Sequence, residues 1–257
     1  MINKINIIGY GFVGQANAIG FKRLGYEVEA FDIKEKENIY NEKEFNDISL
    51  KTKGELPDAG INIVCIADKN PEDGRQEVGH IAKTLEDLKG RGTVILRTTV
   101  LPGLFSDLRF DLYWPEFLHE KAAIKDFLNP DRVVVGRRGD QRFPFEQHFK
   151  PVYYCSPEEA SHIKYLHNIW NALRIAFVNE FGDNLIKGNI NQERVLDYYF
   201  EKEKYLKWGN AFSGHCLPKD SQAYCREYPG LLILEALIRT NKIHKDKYPE
   251  LDNKPIF

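Results

Sequence analysis

Apolar positions recur along this chain in two periods, and the change from one to the other divides it. Residues 4–8 (KINII) read as a buried strand. Gly9-Tyr10-Gly11-Phe12-Val13-Gly14 follows at once. Val13, Ala16, Ile19, Gly20 and Leu24 then recur at helical spacing, stopped by Gly25. A second strand runs through Val28, Ala30 and Phe31 and ends at Asp32. Further apolar runs predict strands over 61–66, 93–97, 110–114 and 132–136, and another ending at Cys155. Helical segments lie between several of them. Such alternation predicts an α/β fold, a Rossmann-like doubly wound parallel sheet over residues 1–155.

Beyond residue 155 the period is helical. Ser156-Pro157-Glu158-Glu159 is a capping box with proline in the first helical position. Ile163, Leu166, Trp170, Leu173, Phe177 and Phe181 follow, and predict one buried stripe over about six turns. This long central helix is expected to be the spine of a helical domain, residues 156–257. Further helices are expected over 191–203, from near Pro218, and over 231–242.

Composition narrows the partners. The chain has 257 residues and a net charge of −2, with a pI near 6.4. That balance gives no electrostatic reason to bind nucleic acid or a lipid surface. No apolar run approaches the ~20 residues of a membrane span. The first strand begins without a signal-peptide pattern, which predicts a cytoplasmic protein. Cys65, Cys155, Cys216 and Cys225 form no CxxC pair and the histidines are scattered, so neither a disulfide framework nor a metal site is expected.

Two segments carry chemistry. In the first, Gly9 permits a tight turn, Gly11 lets backbone approach a pyrophosphate, and Gly14 lets helix pack close to strand. The helix N-terminus behind them presents N–H groups to phosphate. Asp32, eighteen residues past Gly14, suits a ribose 2′-hydroxyl and favours NAD, although Lys34 lies close by. The second segment, Gly214 to Asp220, sets the Cys216 thiol, the Lys219 ammonium and the Asp220 carboxylate within five residues. A helix beginning near Pro218 would favour thiolate at Cys216. Cys65, Cys155 and Cys225 read as small buried hydrophobes. Lys164 and Asn168 are i, i+4 and share a helix face, either as a solvated pair or as part of a site.

Three longer stretches are PEFLHEKAAIKDFLNPDRVVVG (115–136), EASHIKYLHNIWNALRIAFVNEFGD (159–183) and SGHCLPKD (213–220). With the glycine fingerprint and TTVLPG (98–103), they resemble the UDP-glucose/GDP-mannose dehydrogenase family in family order, from residue 1 to about 243. The resemblance implies NAD-dependent oxidation of a nucleotide-sugar C6 hydroxymethyl to a carboxylate, in two hydride transfers. Cys216 would be the nucleophile, with Lys164 and Asn168 around the reacting oxygen. Asp220 would activate water or position Lys164. Glu116 and Glu120 fall on the family's two acidic positions, and Thr99 on a threonine that holds the catalytic water. Gly9, Gly11, Phe12, Val13, Gly14, Asp32, Thr98 and Lys219 would serve the cofactor. A homodimer through the long helix is implied too.

Four departures stand against the family pattern. The family continues into a second Rossmann-like domain, whereas this sequence ends at Phe257. Phe200 occupies the place of an arginine sixteen residues before the thiol. The loop before Cys216 reads WGNAFSGHC, with His215 where serine is usual; a protonated His215 would lower the thiol pKa, and a surface loop residue would not. Ala67-Asp68-Lys69-Asn70 replaces the family's VPTP. Two other readings stay open: a single-step β-hydroxyacid-type dehydrogenase and a non-catalytic NAD-binding subunit.

Overall fold

Short β-branched runs in the first part of the chain pair into one eight-stranded sheet. The computed structural model describes residues 4–52, 55–58, 60–68, 74–203, 206–214 and 216–251. The strands are β1 (Lys4–Ile8), β2 (Glu27–Phe31), β3 (Ser49–Lys51), β4 (Ile61–Val64), β5 (Thr93–Leu96), β6 (Leu112–Tyr113), β7 (Val133–Arg137) and β8 (Val152–Cys155). Their order in space is β3-β2-β1-β4-β5-β6-β7-β8. Helices α1 (Phe12–Arg23), α2 (Gly79–Asp87) and α3 (Ala123–Leu128) connect them. The reversal of strand order beside β1 is where doubly wound sheets bind ligands, outside the carboxyl ends of the strands.

Successive side chains along each strand go to two separate cores, so both faces of the sheet are covered. Ile5, Ile7, Ile61, Ile63, Ile95, Val133 and Val135 join one cluster with α1 and α3. Ile8, Val64, Val94, Leu96, Tyr113 and Val134 join the other, with Ile81 and Leu85 of α2. Between these apolar layers Asn6 and Asn62, direct partners across β1 and β4, hydrogen-bond at 2.8 Å. The Asn62 amide donates in turn to the Arg91 carbonyl at 2.8 Å.

The sequence predicts a parallel sheet, and the structure departs from it at one pairing. β6 and β7 are antiparallel, pairing Leu112 with Arg137 and Tyr113 with Gly136. A doubly buried strand such as β7 is apolar at successive positions and reads the same in either direction, so hydrophobic pattern gives no sense of direction here. The three-residue β3 shows no pattern in the sequence at all.

The chain divides into two compact units, one of Met1–Lys69 and Gln76–Lys164, the other of Asn70–Arg75 and Tyr165–Phe257. The division falls within helix α4 (Pro157–Lys187). Its capping box forms as expected: the Glu159 N–H donates to Ser156 Oγ at 3.1 Å, and the Ser156 N–H to Glu159 Oε2 at 2.8 Å. The second unit adds α5 (Gln192–Tyr199), α6 (Cys216–Glu227) and α7 (Leu232–Lys247). Its core joins Ala172, Ile175, Ala176, Phe212, Leu234 and Leu237. A smaller cluster holds Val178, Leu196 and Leu206, with Phe200 and Trp208 packed against it.

One expectation for α4 is overturned. Leu166 is 68% exposed and Trp170 53%, and Phe177 and Phe181 stand out with them. The buried side of the helix instead carries Tyr165, Asn168, Ala172, Ala176, Val178 and Asn179. Periodicity locates an apolar stripe but does not say what covers it.

Candidate active site

The glycine loop between β1 and α1 is shaped by close backbone contacts. Gly9 has φ +91°, and a Cβ there would meet the Cys65 carbonyl carbon at 2.8 Å. A Cβ on Gly14 would collide with the Gly9 carbonyl, so helix and turn could not close. At Gly11 a Cβ would meet nothing within 4 Å, which marks the open side of the loop. No side chain caps α1 and no acidic residue lies in its first turn. The N–H groups of Phe12, Val13 and Gly14 therefore stay available to an anion. Asp32 closes the loop from β2: Oδ2 accepts from the Tyr10 N–H at 2.7 Å, and Oδ1 pairs with Lys36 at 3.2 Å. These residues fit a dinucleotide, pyrophosphate at the helix end and ribose at Asp32.

The strand ends of the first unit hold the next group. Thr98 and Thr99 follow β5, and both are buried. Thr98 Oγ1 donates to the Ile66 carbonyl at 2.6 Å. The Thr99 carbonyl accepts from Gln76 Nε2 at 2.9 Å, and the same amide reaches Asp68 Oδ2 at 2.6 Å. Gln76 Oε1 accepts from the Leu101 N–H at 2.7 Å. Thus Asp68, one of the residues departing from the family pattern, is tied into the Thr99 turn; Lys69 and Asn70 lie outside the described residues.

Glu116 and Lys164 form a buried ion pair, Oε1 to Nζ 3.0 Å. Glu116 Oε2 accepts from the Leu118 N–H at 2.7 Å, so both carboxylate oxygens are used. Burial alone would raise the Glu116 pKa. The Lys164 ammonium, the Leu118 hydrogen bond and the charge of Arg97 outweigh it and hold the carboxyl below its ordinary range. Arg97 is itself buried, stacked on Trp114 at 3.7 Å, with Nη1 donating to the Trp114 carbonyl at 3.3 Å. Burial lowers this guanidinium to about 10. Glu120 stands exposed on a 3-10 turn, outside the buried pair.

The second unit builds a separate polar cluster. Asn168 Nδ2 donates to Asp220 Oδ2 at 2.6 Å, and Lys219 Nζ lies 2.9 Å from Asp220 Oδ1. Asn168 and Asp220 are both buried. Cys216 opens α6 and is exposed. Burial raises the other thiols, Cys65 to about 12 and Cys155 to about 11, with Cys225 raised too. His215 lies outside the described residues. Phe200 closes α5 and belongs to an apolar cluster, so packing accounts for it.

The loop before Cys216 is held by amides that sequence reasoning missed. Asn179 accepts from the Gly209 N–H at 3.0 Å and donates to the Asn210 carbonyl at 2.9 Å. Asn241 accepts from the Phe212 N–H at 2.8 Å and donates to its carbonyl at 3.0 Å. Gln76 and Arg97 were missed as well. Of the four only Asn179 lies in a stretch that carries the resemblance, and each acts through partners outside its own element.

Among the described residues, no group of three or more His, Cys, Asp or Glu side chains could hold a metal ion. No helix there is long and apolar enough to cross a membrane.

Residues 158–242 match the UDP-glucose/GDP-mannose dehydrogenase family, central domain. A GDP-mannose 6-dehydrogenase of Pseudomonas aeruginosa is 26% identical over 86% of this chain and 63% of its own length. The chain thus spans less than two thirds of that relative. A UDP-glucose 6-dehydrogenase of Campylobacter jejuni is 27% identical over 98% of this chain and 76% of its own length. Among solved structures, a UDP-glucose dehydrogenase from Pyrobaculum islandicum superposes with TM-score 0.79 at 21% identity, covering 97% of this chain and 69% of that one. A GDP-mannose dehydrogenase from Pseudomonas aeruginosa gives TM-score 0.67 at 25% identity, over 96% and 70%. About a third of the chain thus matches that family's central domain, and GDP-mannose and UDP-glucose 6-dehydrogenases align along most of it at 26–27% identity.

Proposed function

We propose that this chain oxidises the C6 hydroxymethyl of a nucleotide sugar to a carboxylate, with NAD as the hydride acceptor. The observation that carries the reading is the buried Glu116–Lys164 pair, in which the family resemblance gives Lys164 to the reacting oxygen and Glu116 to one of the two acidic positions. A buried ion pair is a poor device for stability, since a well-packed apolar pair is often as good or better. Its presence here has a reason if the ammonium works on substrate.

The first unit binds NAD through the α1 N-terminus and Asp32, with Thr98 and Lys219 as further contacts implied by the family. Bound there, NAD would supply the hydride acceptor, one molecule for each of the two oxidations. Lys164 and the Asn168 amide act as donors to the substrate oxygen as negative charge develops on it. Removing one such donor typically costs about 10²–10³ in rate. Cys216, at the positive end of the α6 dipole, captures the aldehyde as a thiohemiacetal. The second oxidation leaves a thioester. Water hydrolyses it, held by Thr99 and activated by a carboxylate among Glu116, Glu120 and Asp220. The charge-paired surroundings of Glu116 keep its carboxylate in the base form.

The dimer implied by the family is part of this proposal, formed through the exposed stripe of Leu166, Trp170, Phe177 and Phe181. These side chains present an apolar face of the kind that interfaces cover.

The test is incubation of the protein with NAD and a panel including UDP-glucose and GDP-mannose, followed at the NADH absorbance. Two NADH per substrate, no free aldehyde, and loss of turnover in Cys216→Ser are expected. One NADH per substrate with Cys216→Ala fully active would instead favour a single-step β-hydroxyacid-type dehydrogenase. NAD binding without oxidation of any alcohol would favour a non-catalytic subunit.

A further inference from the structure

One amide side chain holds the turn that carries Thr99. Gln76 is 6% exposed. Its Nε2 donates to the Thr99 carbonyl at 2.9 Å and to Asp68 Oδ2 at 2.6 Å. Its Oε1 accepts from the Leu101 N–H at 2.7 Å. The Thr99 carbonyl can only accept and the Leu101 N–H can only donate, so the amide has one orientation. Both ends of the amide are then engaged, the nitrogen twice. A carboxylate on a side chain of the same length could serve Leu101 alone, and a thioether none of the three.

Other side chains grip the same turn. Thr98 Oγ1 donates to the Ile66 carbonyl at 2.6 Å. Ser161, fully buried near the start of α4, donates from Oγ to the Val100 carbonyl at 2.5 Å. His80 Nε2 meets the Ala67 carbonyl at 2.8 Å and so secures the segment that bears Asp68. Gln76 differs from these in binding backbone on both sides of Val100. Holding the Thr99 carbonyl and the Leu101 N–H together fixes the peptide planes that follow Thr99, and with them the direction of its side chain. Asp68 is a departure of this chain: the family's VPTP sets a proline at that place, which has no side-chain acceptor. The bond that steadies the Gln76 amide therefore belongs to the same segment that departs from the family pattern.

We infer that Gln76 is a positioning residue for thioester hydrolysis, setting the Thr99 turn so that its hydroxyl is aimed at the attacking water, with Asp68 steadying the amide. The inference deepens the proposed function and rests on it, since it needs a thioester on Cys216. In that step the water oxygen bonds to the thioester carbon and one water proton goes to a carboxylate base. The carbon–sulfur bond then breaks and returns the Cys216 sulfur. Gln76 touches none of these atoms. It acts through Thr99, so its loss slows the hydrolytic step and leaves the two oxidations, which do not use that water, as they were.

The experiment is a single turnover of wild type, Gln76→Met and Gln76→Glu with NAD and the sugar nucleotide that wild type oxidises. Acid quench and mass measurement of the Cys216 peptide give thioester formation and decay separately, and NAD affinity is measured by titration calorimetry. Gln76→Met keeps the side-chain length and removes all three bonds. It should form the thioester at the wild-type rate and clear it about tenfold more slowly, as expected for the loss of hydrogen bonding worth a factor of ten in a barrier. Gln76→Glu keeps only the Leu101 bond and should clear it at least as slowly. NAD affinity should not change in either. Should Gln76→Met fold poorly, Asp68→Asn, which keeps an acceptor for the amide, should show a smaller slowing of the same step. The proposal is overturned if formation and decay slow together, which marks a merely structural residue, or if Gln76→Glu clears the thioester like wild type. A wild type that clears the thioester no faster than Gln76→Met overturns the role of Gln76 alone. A wild type that yields one NADH per substrate and no acyl-enzyme at any time removes the thioester itself, and the proposed function fails with it.

Discussion

The two buried carboxylates, Glu116 in the first unit and Asp220 in the second, are compensated in different ways. Glu116 has one ammonium, Lys164, for its Oε1 and a backbone N–H for its Oε2. Asp220 has an ammonium, Lys219, on one oxygen and a neutral amide, Asn168, on the other. The difference lies in what depends on each proposed substrate donor. Lys164 is the larger of the two cationic influences on its carboxylate, Arg97 being the other, so its removal takes away the cation hydrogen-bonded to a buried anion. Asn168 carries no charge, and Asp220 keeps Lys219 when the amide goes. A proposed substrate donor is thus a stability element in one cluster and nearly separable from stability in the other.

The strongest way to break this contrast is Lys164→Met. It should lower stability by about 3–5 kcal/mol in urea denaturation, the usual result of removing one partner of a buried pair. Adding Glu116→Gln should recover part of the loss, because no uncompensated charge is left. Full additivity of the two changes would mean that the pair does not couple. Asn168→Ala should cost less, about 1–3 kcal/mol, by leaving one Asp220 oxygen without its hydrogen bond. Its turnover should nevertheless fall about 10²–10³-fold, as for loss of a transition-state donor. A stability loss as large as that of Lys164→Met would erase the distinction.

Acid titration sharpens the same point. The Glu116 carboxyl is held below its unfolded value, so its contribution is complete above the unfolded pKa of about 4.3 and disappears as pH falls through the folded value. Melting temperatures of wild type and Glu116→Gln should therefore converge as pH falls from neutrality toward about pH 3, a range bracketing that unfolded pKa. Parallel curves would count against an ionised Glu116. The smallest effect is expected at the exposed Glu120: Glu120→Gln should stay within about 0.5 kcal/mol of wild type. If it slows product release from the thioester while stability is unchanged, rapid-quench detection of the acyl-enzyme would assign it to hydrolysis.

Much of the first unit was legible in the sequence because it depends on local constraints. The strand, glycine turn, helix and acidic strand end from Lys4 to Asp32 each follow from near neighbours. The capping box at Ser156 and the helix beginning at Cys216 are local as well. The opposite sense of β7, the exposed stripe of α4 and the Gln76 hub were not legible. Each is decided by a partner far along the chain or outside it. His244 meets the Gly209 carbonyl 35 residues away, and no periodicity announces such a pairing. In the candidate site, Lys164, Asn168 and Asp220 stand out in the sequence and the resemblance implies their roles, whereas the bonds of Lys164 to Glu116 and of Asn168 to Asp220 join residues 48 and 52 positions apart and have no local signal.

The Asn6–Asn62 pair between β1 and β4 has a consequence for how the sheet assembles. Most strands here are greasy on both sides, so a neighbouring strand could slide by two residues and still bury apolar groups. Two amides facing each other in an otherwise dry layer remove that freedom. Only one alignment lets the Asn6 amide find Asn62 and lets Asn62 find the Arg91 carbonyl. Every slipped pairing strands hydrogen-bonding groups among hydrocarbons. The pair acts as an alignment key for the centre of the sheet, and the glycine turn after β1 inherits its position from that key.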